Sequence, residues 1–375
     1  MTETDTTTLA VASPSAAPAT PLLRMTQSTP TCLWNDSADP QELPQSLTFG
    51  AVGATCNPVI ALNSIKADLA TWTPRIVGLA KNRPTATEDE LGWLAVAELS
   101  IAAARLLEPA FAAHAGRNGR LSIQTDPRFW RNTEALVEQA VEFSGLADNI
   151  IVKIPATAAG IAAMEEATYR GVSINATVSF TVPQALAVAE AIDSGLRRRE
   201  AEGLDTAHMG PVCTIMVGRL DDWMKVAASQ HGLDLDPAVF GWAGVAAFKK
   251  AYRIFRERGY RTRLLSAAFR NLMHCTELVG GDVVISPPFG WQTKLNAAYA
   301  EQGKDLTPRI DVPVDPAILD ALTQIPEFRA AYEPDGLTIP EFDSFGATRR
   351  TLRQFLAANN ELETLVRDIL LPSPD

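Results

Sequence analysis

Short, nearly continuous apolar runs alternate along this chain with longer segments whose apolar residues recur every three or four positions. The runs occupy 32–36, 49–55, 120–126, 149–157, 172–180, 212–218, 263–269 and 282–287. Strands covered on both faces must read this way, so the pattern predicts eight buried strands. The segments between them are helical in period. In 133–145, Leu136, Val137, Ala140 and Val141 share one face. Thr87 with Glu90 offers a capping box before the next periodic stretch. The helix after Lys153 is expected to end at Gly171, and 237–259 reads as one helical stretch. Eight strands alternating with helices predict α/β architecture, a closed (β/α)8 (TIM) barrel. A doubly wound open sheet is the runner-up, but the first run leads into DSADPQ with no GxGxxG or Walker sequence. Two smaller α/β domains would need a linker, and no Pro/Gly/Ser-rich one lies mid-chain.

Residues 1–30 are rich in Thr, Ala, Ser and Pro and read as a flexible tail. Residues 31–375 are then one barrel domain, with a helical C-terminal extension from about 303. The stretch 91–116 is the longest apolar one, but Glu98, Arg105 and Glu108 interrupt it. It is expected to be a packed helix rather than a membrane span. The start of the chain lacks the basic residues and apolar core of a signal peptide, so a cytoplasmic location is expected.

Composition narrows the partners. Of 375 residues, 33 are Lys or Arg and 44 are Asp or Glu, a net charge of -11. That balance disfavours nucleic acid and anionic membrane surfaces, yet a local arginine pair can still grip one small anion. Cys32, Cys56, Cys213 and Cys275 form no CxxC pair, and His114, His208, His231 and His274 form no HExxH. The cysteines read as small buried hydrophobes, and no metal site is expected.

The candidate chemistry lies in polar residues at strand ends, where barrels build their sites. Lys153 stands in IIVKIP, a run that should be buried. An ammonium there is costly, so its pKa should fall, and a neutral amine can attack a ketone to form a Schiff base. The alternatives are a lysine that snorkels to the barrel mouth or pairs with a carboxylate. Asp36 closes the first run and could carry a proton, or else serve the turn-like DSADP as a cap. Asn57 follows the second run, and Gln124 lies in the third. Asn175 and Thr177, two apart in the fifth, face the same side. Thr214 and Arg219 belong to the sixth run and Arg270 ends the seventh; the two arginines could grip a phosphate from adjacent loops, or be ion-pair residues.

Taken in order, these residues resemble the transaldolase family. SIQTDPR, NIIVKIPAT and GVSINATVSF are similar to its third, fourth and fifth strand motifs, and ATCNP to its TNP motif. VGRLDDW, SAAFRN and the ISP at 285–287 resemble its sixth, seventh and eighth. The resemblance runs from about residue 32 to about 300. It implies a class I aldolase barrel of the pentose phosphate pathway, moving a dihydroxyacetone unit from a ketose phosphate such as sedoheptulose 7-phosphate to glyceraldehyde 3-phosphate. It implies sugar phosphates as small-molecule partners and no cofactor or metal; homo-oligomerisation stays open. By the same resemblance Lys153 is the Schiff-base lysine and Asp36 the general acid/base. Asn57 and Asn175 hold substrate hydroxyls, Thr177 holds the catalytic water, Thr214 stands where Ser is usual, and Arg219 and Arg270 bind phosphate.

Three departures qualify the match. Gln124 stands where transaldolases usually carry Glu, as in fructose-6-phosphate-aldolase-like relatives, which release or add free dihydroxyacetone. An amide can hold a water but cannot take its proton. Met216 replaces the usual Phe or Tyr, and the segment between Asn175 and Thr214 is longer, including RRREAEG at 197–203. An aldolase of the same superfamily, or a sugar-phosphate-binding barrel without turnover, are the alternatives to transfer.

Overall fold

In a computed structural model, which describes residues 19–374, the eight expected strands are present and close into a barrel. They are β1 (Cys32–Asn35), β2 (Ala51–Thr55), β3 (Arg120–Gln124), β4 (Ile150–Pro155), β5 (Ile174–Ser179), β6 (Val212–Ile215), β7 (Arg263–Ser266) and β8 (Val284–Ile285). All neighbours are parallel in the order β1 to β8, and β8 pairs back to β1. Most apolar side chains pack between this barrel and its outer helices.

The lumen is filled in three levels. At the N-terminal ends lie Arg120 and Arg263, buried and bonded to backbone carbonyls of Gly116, Ile150 and Arg117. Above them Trp34, Ile151, Val212, Leu265, Ala267 and Val284 form a small dry layer. The Trp34 indole lies against β2, where a Cβ on Gly53 would stand 2.4 Å from its ring, so only glycine fits. The third level, at the C-terminal ends, is polar.

Two segments depart from expectation. The stretch 237–259 is two helices, Pro237–Phe240 and Ala243–Arg258, broken at Gly241 and Trp242. The break lets the second helix start hard against the helix Val217–Gln230: a Cβ on Gly244 would be 2.3 Å from the Val217 carbonyl, and Asp221 Oδ1 accepts from Gly244 N. The second correction concerns the tail. Part of it is the helix Pro21–Ser28, capped by the Thr20 side chain, with Leu22 and Met25 buried. Leu22 N donates to Asn296 Oδ1 (3.0 Å) in the helix Phe289–Glu301. Composition hid this, because two apolar residues one turn apart suffice to dock a short capped helix. Residues 1–18 of the expected tail lie outside the described residues.

Other expectations hold. Thr87 and Glu90 form their capping box at the start of the helix Glu88–Ala113, which covers the apolar stretch. Gly171 has φ +95° just past the helix Ala158–Tyr169. No helix among the described residues is long and apolar enough to cross a membrane. Cys56, Cys213 and Cys275 are buried free thiols as expected, whereas Cys32, expected to be buried as well, is only half-buried. The longer segment before β6 extends the helix Val182–Ala201, and its loop reaches the N-terminal end of the barrel, where the His208 carbonyl accepts from Arg120.

The extension beyond 303 runs through short helices into one long helix, Gly346–Leu370. Its buried stripe of Ala347, Thr351, Leu352, Phe355, Ala358, Leu362 and Val366 follows helical period. It packs against the helices Pro58–Ala67, Glu88–Ala113 and Val217–Gln230 and against β5, and so lies along the C-terminal side of the barrel. Its first residue is a glycine because the Trp223 ring occupies the space: a Cβ on Gly346 would be 1.9 Å from it.

The docked N-terminal helix gives a stability test. Leu22→Ala removes a fully buried side chain and should cost about 2–4 kcal/mol. Urea unfolding should show a lower midpoint with little change in slope; an unchanged midpoint would mean that the helix contributes nothing to the fold.

Candidate active site

Gln124, Lys153 and Asn175 stand at one level on three adjacent strands, since Gln124 pairs with Lys153 and Lys153 with Asn175 in the ladder. Their neighbours confirm that this level faces the lumen. Asn175 Nδ2 on β5 donates to Ser122 Oγ on β3 (3.0 Å), a contact that must pass inside the barrel over β4. Thr214 Oγ1 on β6 donates to Asn175 Oδ1 (2.8 Å). The Asn175 amide is thereby held from both sides by hydroxyls on the neighbouring strands.

Lys153 is buried, and among the described residues its amine makes no hydrogen bond or ion pair. Burial, the largest effect, pushes the amine below the usual lysine range, and Arg219 adds to this. Asp36 and Cys56 act the other way. The Cys56 thiol beside it is itself pushed up to about 12 by burial, so it stays protonated. The snorkelling and ion-paired alternatives therefore do not describe this lysine. Asp36 follows β1 and accepts from Thr55 Oγ1 on β2 (2.6 Å) through one oxygen, leaving the other uncommitted. It is not a cap; Asp39 does that work, accepting from Gln41 N and Glu42 N.

Asn57 is the N-cap of the helix Pro58–Ala67, its Oδ1 accepting from Val59 N and Ile60 N. Only its amide NH2 is left to face the mouth. Gln124 Oε1 and Thr177 Oγ1 are buried without a hydrogen-bond partner, one on each strand flanking β4. Native interiors rarely leave such atoms unmet, and two of them beside one amine can hold a small polar molecule. Met216 is buried at the start of the helix Val217–Gln230 and brings no hydroxyl to the lumen.

The arginines close one side. Arg219 sits on the first turn of the helix Val217–Gln230, its guanidinium pushed down to about 10 by burial and by Arg270. Arg270 Nε donates to Asp222 Oδ2 (2.8 Å). Both line a cavity of 280 Å³ with Asp222, Ala347, Arg350, Thr351 and Gln354.

Several supporting residues carried little signal in the sequence. Val178, next to Thr177, has φ +51°, strained for a β-branched residue, and the β5–β6 register shifts there. Buried Gln184 holds the bulge in place, donating to the carbonyls of Val178 and Ala156. Ala268, two residues before Arg270, has φ +63°. Buried His274 accepts from Arg270 N at Nδ1 (3.0 Å) and donates from Nε2 to Asp221 Oδ2 (2.8 Å). Ser122 could have been found by alternation from Gln124; the Asp221–His274 pair, 53 positions apart, could not.

A closed parallel barrel with a buried amine, amides, hydroxyls and arginines gathered at its C-terminal mouth has the make-up of an α/β-barrel enzyme. The chain belongs to the transaldolase/fructose-6-phosphate aldolase family, whose model matches residues 33–315. It is 33% identical over 208 residues to Transaldolase 1 of Streptomyces avermitilis, covering 55% of this chain and 54% of that protein. It is 29% identical over 302 residues to a transaldolase of Thiobacillus denitrificans, covering 74% of this chain and 80% of the relative. The match thus spans little more than half of the Streptomyces relative.

The amine's environment predicts a pH effect on stability. The folded-state pKa of Lys153 lies below that of the unfolded chain. Between the two values the unfolded chain binds more protons, so stability rises with pH. Lys153→Met should therefore be more stable than the parent at about pH 7, and the gap should narrow toward about pH 10. Paired urea titrations across that range check it; a gap that is constant or widens would mean that folding does not lower the pKa of the amine.

Proposed function

We propose that this protein transfers a three-carbon dihydroxyacetone unit from a ketose phosphate to an aldose phosphate through a Schiff base on Lys153. The observation that carries this reading is the buried, unpartnered amine of Lys153, held toward its neutral form among groups suited to hydroxyls and phosphate. The amine attacks the ketose C2 carbonyl; the carbinolamine loses water to give an iminium. Asp36 takes the proton from the C4 hydroxyl, the C3–C4 bond breaks, and its electron pair moves into the iminium to leave an enamine. The aldose product departs. An acceptor aldehyde is then attacked by the enamine carbon, its oxygen regaining a proton from Asp36, and hydrolysis frees the new ketose. Asn175 and the Asn57 amide hold the hydroxyls of the bound unit, with Thr214 fixing Asn175. Gln124 and Thr177, with their unmet oxygens, position the water. Arg219 and Arg270 bind the phosphate. Sedoheptulose 7-phosphate and glyceraldehyde 3-phosphate fit as donor and acceptor, and the reaction belongs to carbohydrate metabolism in the cytoplasm.

A second reading is favoured by Gln124. An amide on the water-handling side leaves Asp36 as the one carboxylate for proton transfer, which suits an aldolase that releases free dihydroxyacetone. Supplying a ketose phosphate with and without an acceptor aldehyde separates the two, because transfer needs the acceptor and cleavage does not. A binding protein would do neither.

Borohydride in the presence of the donor ketose should add a reduced three-carbon adduct to a peptide containing Lys153. Lys153→Arg should lose both adduct and turnover, since guanidinium stays protonated. An adduct on another residue sinks the assignment. Arg219→Ala and Arg270→Ala should each raise KM for a phosphorylated ketose about ten- to hundredfold, and hardly change it for the unphosphorylated sugar. Equal effects on both sugars would make the arginines structural. Gln124→Glu should alter the pH profile of kcat and raise transfer relative to release; unchanged values would make Gln124 a packing residue.

A further inference from the structure

A second cavity, of 670 Å³, lies at the opposite end of the barrel from Lys153, walled by the segments that lead into β3, β6, β7 and β8. Barrel enzymes place their chemistry at the C-terminal strand ends, so a cavity at the N-terminal ends stands apart from the reacting groups. The segment before β6, longer here than the transaldolase pattern, contributes His208, Met209 and Gly210 to its wall.

Charge at this cavity is out of balance. Arg117, Arg256, Arg261 and Arg263 line it, against one lining carboxylate, Asp282. Arg263 is buried and, among the described residues, has no carboxylate partner. It donates instead to Arg117 O (2.8 Å), Asn118 Oδ1 (3.1 Å) and Cys32 Sγ (3.5 Å). Burial above all holds its pKa below the usual arginine range; Arg117 adds to this, while Cys32 and Asp282 oppose it. Arg120 next to it is bonded to backbone carbonyls, and burial and Arg263 push it down to about 10. Two buried guanidiniums without a counter-charge are costly, and an anion in the cavity offsets that cost. The other three lining arginines are paired at the surface: Arg117 with Asp282, Arg256 with Asp311 and Arg261 with Glu200. Exposed pairs hold weakly, so these side chains are free to turn to a bound anion. Thr262, on the same wall, is buried with its Oγ1 unpartnered.

The rest of the wall is less polar. Met209, Tyr252 and Tyr260 are half-buried there. A cavity of this size holds more than a lone phosphate, and ring faces suit an organic body. We infer that this cavity is a second, non-catalytic ligand site for an organic phosphate, with the phosphate among the guanidiniums and the body against Met209, Tyr252 and Tyr260.

The test uses the full chain carrying Arg219→Ala and Arg270→Ala, so that the catalytic mouth contributes little to phosphate binding. Calorimetry compares ADP, ribose 5-phosphate and inorganic phosphate as probes. One of the two organic phosphates should bind at least about tenfold tighter than inorganic phosphate, and which one it is tells whether the body is a nucleoside or a sugar. Adding Arg261→Ala or Arg256→Ala, both exposed and so safe for folding, should weaken that binding about tenfold. Arg253→Ala removes a charge from the helix that carries Arg256 without touching the cavity, and should leave binding as it was. In the otherwise unaltered protein, Arg261→Ala should keep kcat and KM for a ketose phosphate within about twofold. Absence of binding, binding no tighter than that of inorganic phosphate, or equal losses in Arg253→Ala and Arg261→Ala would each overturn the inference.

Discussion

Enclosing polar groups in the lumen of a closed barrel is costly unless they answer one another, and this constraint shapes the rest of the molecule. Strand alternation sends every second residue of eight strands inward, with no edge at which to release a misplaced one. Below, the chain meets the constraint with a dry layer around Trp34 and with arginines spent on backbone carbonyls. Above, Ser122, Asn175 and Thr214 satisfy one another across the lumen. The amine of Lys153 is left without an answer, as are Gln124 Oε1 and Thr177 Oγ1 beside it, and the lowered pKa of the amine is the physical trace of its burial.

Much of this was legible in the sequence because strands covered on both faces cannot hide polar residues. A lysine in IIVKIP, or an asparagine and threonine two apart in the next strand, stands out against an apolar background. All eight strands could be found by the same contrast. What escaped notice was whatever depends on tertiary neighbours. The docking of Pro21–Ser28 rests on Asn296, 274 positions from Leu22. The break at Gly241 exists because Gly244 must approach the Val217 carbonyl. Asn57 looked like a ligand residue, yet half of its amide is spent capping a helix. Asp36 had a cap in the turn-like DSADP as its alternative role, and Asp39 fills that role instead.

The extension beyond residue 303 changes what the barrel mouth is. Strand ends, loops and the first turn of the helix Val217–Gln230 supply the amine, amides and two arginines, but the helix Gly346–Leu370 supplies the facing wall. Its attachment is specific: glycine against the Trp223 ring at one end, and Leu362 over Gly92 further along. A site of this make-up reads as two parts in sequence, one ending at Arg270 and the other starting at Ala347, and becomes one only when the helix is seated.

Asp221 has a consequence of its own. One oxygen accepts from Gly244 N at the start of the helix Ala243–Arg258; the other accepts from His274 Nε2, whose Nδ1 in turn accepts from Arg270 N. A single carboxylate therefore ties an outer helix to the loop that carries an arginine of the mouth. Asparagine in its place would keep the shape but present an N–H to the imidazole. The ring would have to exchange its bare nitrogen for a protonated one, setting two N–H groups against each other at Arg270. The sense in which one histidine holds its proton is thus written into the aim of a guanidinium on the far side of the loop.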